Sequence, residues 1–235
     1  MRNGTKIVLF YHCLFGLEDE NGMFEERPGA FWIVHEFISC LRQSGFLDAV
    51  DEFVVGINGG PESSDYARLV IPPQAKTIYH GLKSRAENLT IIEIEKWLKT
   101  NSHQNTVIFY AHAKGATHDP THPYTEFATR WRKCMLGRLI MNWRQAVDDL
   151  NSGAEAVGCH WLTGMADGSQ NIFAGNYWAA RASYLATLPS MYARERISLS
   201  GIAAKESRYE AEVWIGNGPR LPIVRDYHPG PPCNG

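Results

Sequence analysis

The sharpest chemical feature of the sequence is the segment His112-Ala-Lys114-Gly115, which ends an apolar run. The ammonium group of Lys114 can neutralise a diphosphate, and Gly115 lets the backbone approach such a group closely. The other interpretation is an ordinary turn with a solvated lysine. Because loops after strands carry binding sites out of proportion to their length, the segment is a candidate phosphate-binding turn.

The other strand-like runs also end in groups that suit a nucleotide. Tyr11 and His12 close the first run, Asn58 closes the second, and Arg85 lies where a helix opens after the third. Ligands of open α/β sheets bind outside the carboxyl ends of the strands. We therefore expect these groups and the 112–115 turn to form one site, with the Tyr11 ring on the base and the turn on the phosphates.

Two common nucleotide motifs are missing from the sequence. No G-x-G-x-x-G follows the first strand, and no G-x-x-x-x-G-K-[ST] occurs anywhere in the chain. Their absence disfavours dinucleotide-dependent oxidoreductases and P-loop NTPases.

A metal site is an alternative use of the same region. His112, His118, Asp119 and His122 supply imidazole and carboxylate groups, which suit zinc or manganese. A metal-dependent hydrolase that uses these four residues therefore stays an alternative. Histidines in a proline-containing loop are also common as solvated or capping residues.

The second half of the chain offers candidate acceptor-binding groups. His160 and Trp161 end one predicted strand. Asn176 and Trp178 follow another, and we expect Asn176 to cap a helix that begins there. A helix N-terminus beside an indole suits a hydroxyl or a phosphate, although an N-cap with a core tryptophan is an equal alternative.

Glu210 and Glu212 are the candidate general bases. At i and i+2 of a predicted helix they face opposite sides, so only one can enter a given cleft. A carboxylate in an aromatic setting has a raised pKa and can accept a proton at neutral pH. A surface ion pair between Arg208 and Glu212 is the alternative.

The elements that position these groups alternate between strand and helix in the first half. Strands are predicted over 6–12, 52–58, 76–79 and 106–112, and helices over 31–44 and 84–99. The second half adds one long helix or two over 125–150, strands over 156–161, 171–173 and 221–225, and helices after residue 176 and over 209–215. This order predicts a single α/β domain over 1–228, with a mixed, mainly parallel central sheet flanked by helices and a flexible tail over 229–235.

Composition narrows the class of protein. The 235 residues carry 23 Lys and Arg against 25 Asp and Glu, a net charge of −2, which disfavours a strongly basic nucleic-acid binder. Apolar runs stay below the roughly 18–20 residues of a transmembrane helix. Five scattered cysteines favour reduced thiols. We therefore expect a cytoplasmic protein with no nucleic-acid partner.

Four blocks of the sequence together resemble a known family. They are His112–Gly115, Trp131-Arg132, the run from Gly175 to Arg181 and the run from Arg208 to Gly216. They are similar to blocks in small GT-A-fold glycosyltransferases, of the compact bacterial and large-DNA-virus kind that build surface polysaccharides. The resemblance follows the order of elements over about residues 5–228.

The resemblance implies an activity and a separate role for each half of the chain. A nucleotide-sugar donor would lie in the half over 1–115, and a glycan or glycoconjugate acceptor in the half over 116–228. Glu212, or else Glu210, would take the proton of the acceptor hydroxyl, and in-line attack would invert the anomeric configuration. The same resemblance also fits a catalytically inactive glycan-binding module.

The sequence departs from the family at the metal-binding motif. Members usually carry Asp-x-Asp where this chain has His112-Ala-Lys114, which puts ordinary Mn²⁺ or Mg²⁺ dependence in doubt. Either Lys114 replaces the ion as counter-charge of the diphosphate, or Asp119 and His228 hold an ion instead.

Overall fold

A computed structural model gives the fold of the chain and describes residues 4–18, 24–81, 86–116, 118, 121–163, 171–191 and 210–229. Its centre is one seven-stranded sheet, beside two small two-stranded sheets. The strands are β1 Lys6–Leu14, β2 Gly16–Glu18, β3 Phe24–Glu26, β4 Glu52–Asn58, β5 Lys76–Gly81, β6 Thr106–His112, β7 Ala156–Gly158, β8 Trp161–Leu162, β9 Ile172–Phe173, β10 Trp178–Arg181 and β11 Val224–Asp226.

The central sheet has the strand order β5-β4-β1-β6-β10-β7-β11. β5, β4, β1 and β6 are parallel, β10 is antiparallel to both of its neighbours, and β11 is parallel to β7. The chain thus builds outward from β1 to one edge and then returns to place β6 on the other side of β1. In open α/β sheets, such a reversal marks the place where a ligand-binding crevice forms at the carboxyl ends of the strands, here those of β1 and β6.

Helices cover both faces of the sheet. They are α1 Pro28–Gln43, α2 Pro61–Val70, α3 Ala86–Thr100, α4 Tyr124–Met135, α5 Trp143–Asn151, α6 Ala182–Leu185 and α7 Glu210–Trp214, with a turn of π-helix over Leu136–Ile140. One core packs α1, α2, α4 and α5 against one face, and a second core packs α3, α6 and α7 against the other. Because β1 and β6 lie between the two cores, both strands are apolar on both faces.

Local sequence explains where several of these elements begin and end. Pro28 and Pro61 occupy first-turn positions of α1 and α2, where the missing N–H costs no hydrogen bond. Gly45 follows α1 with a φ of 66°, the left-handed conformation predicted for a helix C-terminus.

The predicted fold class is confirmed: the sheet is mixed, mainly parallel and flanked by helices. The strands of the second half join the same sheet, as expected. The hairpin β2–β3 and helix α2 were not predicted from the sequence. Of the two alternatives for 125–150, the structure shows two helices, α4 and α5, joined by the π-turn that contains Gly137.

Two predictions in the second half are wrong. Residues after Asn176 form strand β10 instead of a helix, because Ala179 and Ala180 are narrow enough to lie buried between β6 and β7. The predicted strand over 156–161 is broken at His160, whose φ is 60°. The last strand is β11, which begins three residues later than predicted.

Within the described residues, no helix has both the length and the apolar character needed to cross a membrane.

We predict that Gly216→Ala destabilises the protein by about 1–3 kcal/mol, the usual effect of overpacking. A Cβ at Gly216 would overlap the backbone of Asn171, next to β9. Gly137→Ala is the matched control, because no heavy atom lies within 4 Å of its added Cβ. In urea unfolding, the free energy of unfolding of the control should rise by about 0.4–1 kcal/mol. Equal midpoints for the two variants would contradict the predicted packing.

Candidate functional site

The candidate site lies at the carboxyl ends of β1 and β6, where the strand order reverses. His12 of β1 and His112 of β6 are register partners there, and both face the layer that contains α3. His12 is buried, and His112 is largely covered. The groups around them come from α3, from the segment before β10 and from α7.

Glu87, in the first turn of α3, is the main hydrogen-bond acceptor of the site. Its Oε1 accepts a bond of 3.0 Å from the Tyr110 hydroxyl and one of 2.7 Å from the Asn176 amide. Asn176 in turn accepts a 2.9 Å bond from the indole of Trp178. These donors fix the orientation of the Asn176 amide and show that Glu87 Oε1 acts as an acceptor. Burial raises the pKa of Tyr110 well above its ordinary value, and the charge of Glu87 adds to the effect.

His112 is held between two acceptors. Its Nε2 lies 2.9 Å from the carbonyl oxygen of Gly175, and its Nδ1 lies 3.6 Å from Glu87 Oε1. Since a carbonyl can only accept, Nε2 carries a proton. Burial lowers the pKa of His112, while the negative charge of Glu87 opposes that shift. The Nε2–H group is therefore bonded within the protein, whereas the contact of Nδ1 with Glu87 becomes an ion pair only when the ring is protonated.

His12 belongs to a second group, in which one hydroxyl serves two imidazoles. Thr90 Oγ1 lies 2.9 Å from His12 Nδ1 and 3.1 Å from His80 Nε2. Strand β4 passes directly beneath, and a Cβ on Gly56 would overlap both Thr90 Oγ1 and the His80 ring. Burial lowers the pKa of both histidines, most strongly that of His12.

The predicted phosphate-binding turn follows β6 directly. Gly115 has a φ of 88°, which favours glycine, and its neighbour Arg132 donates a 3.0 Å bond to the carbonyl oxygen of Lys114. Arg132 is itself anchored by Glu36 at 2.7 Å. The Lys114 ammonium lies 4.1 Å from the centre of the Trp131 ring, a cation–π contact. The turn thus holds a cation close to the end of β6.

Helix α7 brings the two candidate bases to this region. Glu210 Oε2 accepts a 3.3 Å bond from the amide of Asn88 on α3. The charge of Glu212 makes a small contribution to the raised pKa of Tyr110. Both carboxylates are half-buried, and their divergence stays a prediction. Which of them acts as a base stays a prediction.

The predicted nucleotide-binding groups are only partly brought together. Asn58 lies buried at the end of β4, close to His12. Tyr11 lies in the core on the opposite face and stacks on Phe37 with ring centres 3.8 Å apart, so it presents no face to a base. Tyr79 is the tyrosine exposed near this edge, and its hydroxyl donates a 2.5 Å bond to the Gly59 carbonyl. Arg85 lies outside the described residues.

The predicted acceptor-binding groups have mixed placements. Trp161 is half-exposed and packs against Phe173. His160 is fully buried, with its ring centre 4.7 Å from that of His228. Trp178 and Asn176 are also fully buried, and they orient Glu87 from within the protein. Contact of these four residues with an acceptor stays a prediction.

The described residues do not provide a divalent-metal site. No three His, Cys, Asp or Glu side chains lie together as ligands in that part of the chain. The Asp226 carboxylate near His228 accepts backbone N–H groups from residues 160, 161 and 228. Asp119 lies outside the described residues, so its pairing with His228 at an ion stays a prediction. No step proposed below passes through a metal.

The hydrolase alternative stays a prediction. His118 and His122 lie with ring centres 5.4 Å apart, and His112 Nε2 donates to the Gly175 carbonyl. A ligand set of the three histidines would use His112 Nδ1 or require Nε2 to break that bond.

Sequence reasoning missed three residues of the site: Glu87, Thr90 and Tyr110. The carboxylate of Glu87 accepts from Tyr110 and Asn176. One signal was available. Glu87 and Thr90 are spaced i and i+3, so they share one face of α3, and Tyr110 and His112 share one face of β6.

Comparisons with known proteins give no family. No protein-family model matches the chain, and no curated protein matches it significantly. A crystal structure of 4-diphosphocytidyl-2C-methyl-D-erythritol synthase aligns with a TM-score of 0.38 and 16% identity, over 88% of this chain and 84% of that one. A manganese complex of Rv0371c from Mycobacterium tuberculosis H37Rv aligns with a TM-score of 0.39 and 13% identity, over 97% of this chain and 90% of that one. A further Rv0371c structure from the same organism aligns with a TM-score of 0.40 and 11% identity, over 97% of this chain and 91% of that one. These similarities are too low to carry an argument about activity.

We predict that Glu87→Ala lowers the free energy of unfolding by about 1–3 kcal/mol for each buried donor that loses its acceptor. Glu87→Gln should lose less, because its carbonyl oxygen still accepts from Tyr110 and Asn176. Glu126→Ala is the control, since that side chain is 81% exposed, and should change stability by less than about 0.5 kcal/mol. If Glu87→Ala and Glu126→Ala unfold alike in urea, Glu87 does not hold the site together.

Proposed function

We propose that the protein is a glycosyltransferase that moves a sugar from a nucleoside diphosphate to a hydroxyl group of a glycan or glycoconjugate. The observation that supports this most is the arrangement around the end of β6. A cationic turn with Lys114 follows the strand, and the carboxylates of α7 lie on the α3 side of it. Transfer needs a cation for the leaving diphosphate and a carboxylate for the acceptor proton.

The donor site is assigned to the crevice at the ends of β1, β4 and β6. Ligands of open α/β sheets bind where the strand order reverses, and His12, Asn58 and the 112–115 turn lie at that point. Lys114 faces the diphosphate in this proposal, with Arg85 as a second cation. The exposed ring of Tyr79 is a surface on which a base can stack.

The chemistry follows from the charges that develop during transfer. Glu212 accepts the proton of the acceptor hydroxyl, and the oxygen attacks the anomeric carbon through an oxocarbenium-like state. The bond from that carbon to the diphosphate breaks, and the released negative charge is stabilised by Lys114. Attack from the side opposite the leaving group inverts the anomeric configuration.

Thermal-shift measurements with UDP-, GDP-, dTDP- and CMP-sugars test the proposal directly. A donor present at 100 times its Kd adds about 2.7 kcal/mol of stability, so at least one nucleoside diphosphate sugar should raise Tm by several degrees. If a donor binds but is neither transferred nor hydrolysed, the protein is the inactive glycan-binding module. No shift with any donor at millimolar concentration would refute the assignment of the crevice.

We predict that Lys114→Ala weakens binding of the donor about tenfold to a hundredfold, because an ion pair to phosphate is worth about 1.5–3 kcal/mol. Turnover should fall as well. Lys99→Ala, an exposed change of the same charge at the end of α3, is the control and should leave donor affinity unchanged. Calorimetry that finds equal donor affinity in both variants would reduce the Lys114 turn to a structural loop.

We predict that Glu212→Gln lowers kcat by about 10²–10⁴ with donor affinity nearly unchanged, since glutamine keeps the size of the side chain but cannot accept the proton. Glu210→Gln is the matched comparison on the same helix and should keep most of the activity. A large loss in Glu210→Gln alone would transfer the role of base to that residue. Near-full transfer by both variants would remove α7 from the chemistry.

A further inference from the structure

A single hydroxyl group joins two histidines beside the proposed donor site. Thr90 Oγ1 lies within hydrogen-bond distance of His12 Nδ1, at 2.9 Å, and of His80 Nε2, at 3.1 Å. A threonine hydroxyl has one proton to donate. When it donates to one imidazole, it can only accept from the other, so the protonation of the two rings is linked.

The chain of hydrogen bonds ends at the second ring nitrogen of His12, Nε2. His12 is 1% exposed, and its Nε2 has no hydrogen-bond partner among the described residues. The ring lies at the end of β1, at the reversal of strand order that defines the crevice. A buried nitrogen without a partner costs free energy, which makes it a candidate contact for a ligand.

The packing keeps this geometry fixed. A Cβ on Gly56 would overlap Thr90 Oγ1 and the His80 ring, so the bare backbone of β4 is what lets them meet. Thr90 is fully buried on α3. The hydroxyl therefore has little freedom to leave the two rings.

Protonation of His80 sets the direction of every bond in the chain. A charged His80 has N–H groups on both nitrogens, so Nε2 donates to Thr90 Oγ1. The Thr90 hydroxyl then donates to His12 Nδ1. His12, which is neutral, must carry its own proton on Nε2, where it becomes a donor.

We propose that His80, Thr90 and His12 form a relay in which a proton on His80 makes His12 Nε2 a hydrogen-bond donor to a diphosphate oxygen of the bound nucleotide. The inference rests on the proposed function for its ligand but not for its relay. Thr90 and His80 are positioning residues in this scheme, because they act through His12.

The charges that face the relay come from two elements, α3 and β6. Glu93 and Lys96 of α3 act on His80 in opposite directions, and burial lowers the pKa of His80. His112 of β6 acts on His12, and Glu87 of α3 lies beyond it. Because the pKa of His80 is lowered, the relay is neutral at neutral pH without ligand and takes up its proton as pH falls or as an anion binds.

The relay is tested first without any ligand, by ¹⁵N NMR of the histidine rings during a pH titration of the full chain. We expect His12 to change to the Nε2–H tautomer with the same apparent pKa as the protonation of His80. A His12 that keeps its proton on Nδ1 while His80 becomes charged would overturn the relay.

The ligand is tested with inorganic pyrophosphate and with uridine, which separate a phosphate oxygen from a base carbonyl. Pyrophosphate should raise the pKa of His80 by about one unit and bind about tenfold more tightly to the protonated protein. Uridine should leave that pKa unchanged. A shift caused by uridine alone, or by neither probe, would overturn the diphosphate as the group that His12 meets.

Thr90→Val removes the hydroxyl with little change of shape, and Thr90→Ser keeps it. The tautomer of His12 should follow His80 in the serine variant and become independent of it in the valine variant. If the valine variant does not fold, the titration of the unmodified protein still decides the question. An intact relay in a protein without sugar transfer would refute the proposed function alone, whereas transfer with His12 protonated on Nδ1 would refute the relay alone.

Discussion

The carboxylate of Glu87 connects three parts of the chain that are distant in sequence. It accepts from Tyr110 on β6 and from Asn176 before β10, and it comes from the first turn of α3. The Trp178 indole fixes Asn176, and Gly175 fixes His112, so the carboxyl end of the sheet has one arrangement. Charge-assisted hydrogen bonds of this kind are stronger than neutral ones and are sensitive to position. The crevice beside β1 and β6 therefore has a firm wall on the α3 side.

The proposed donor site has two sources of positive charge for a diphosphate. Lys114 is held against Trp131 on one side of β6, while the imidazoles of His12 and His80 lie on the α3 side. The described residues offer no three-ligand metal site to add to them. In the proposed donor complex, ammonium and imidazolium groups balance the phosphate charge, and their strength depends on burial and on proton supply.

The central part of the fold could be predicted from local pattern. β1, β4 and β6 are apolar runs with polar ends, and α1 and α3 show helical spacing. Strand β10 could not be predicted in this way, because Asn176 and the two alanines favour a helix locally. Pairing with the neighbouring strands β6 and β7 makes this segment a strand. For the candidate site, the pattern predicted that His12, Asn58 and Lys114 lie at the carboxyl ends of strands, and their role in binding stays a prediction. Glu87 and Thr90 were missed because their partners, such as Asn176, lie far away in sequence, and Tyr11 was misplaced because a strand residue can face either layer.

We propose that a nucleoside diphosphate sugar binds at the carboxyl ends of β1, β4 and β6. A crystal structure with the donor that gives the largest thermal shift would show this binding. We expect the diphosphate within hydrogen-bond or ion-pair distance of Lys114 and the sugar between that turn and the carboxylates of α7. A nucleotide bound at the opposite end of the sheet, such as the small cleft of about 90 Å³ lined by Thr5, Asn151 and Arg181, would contradict it.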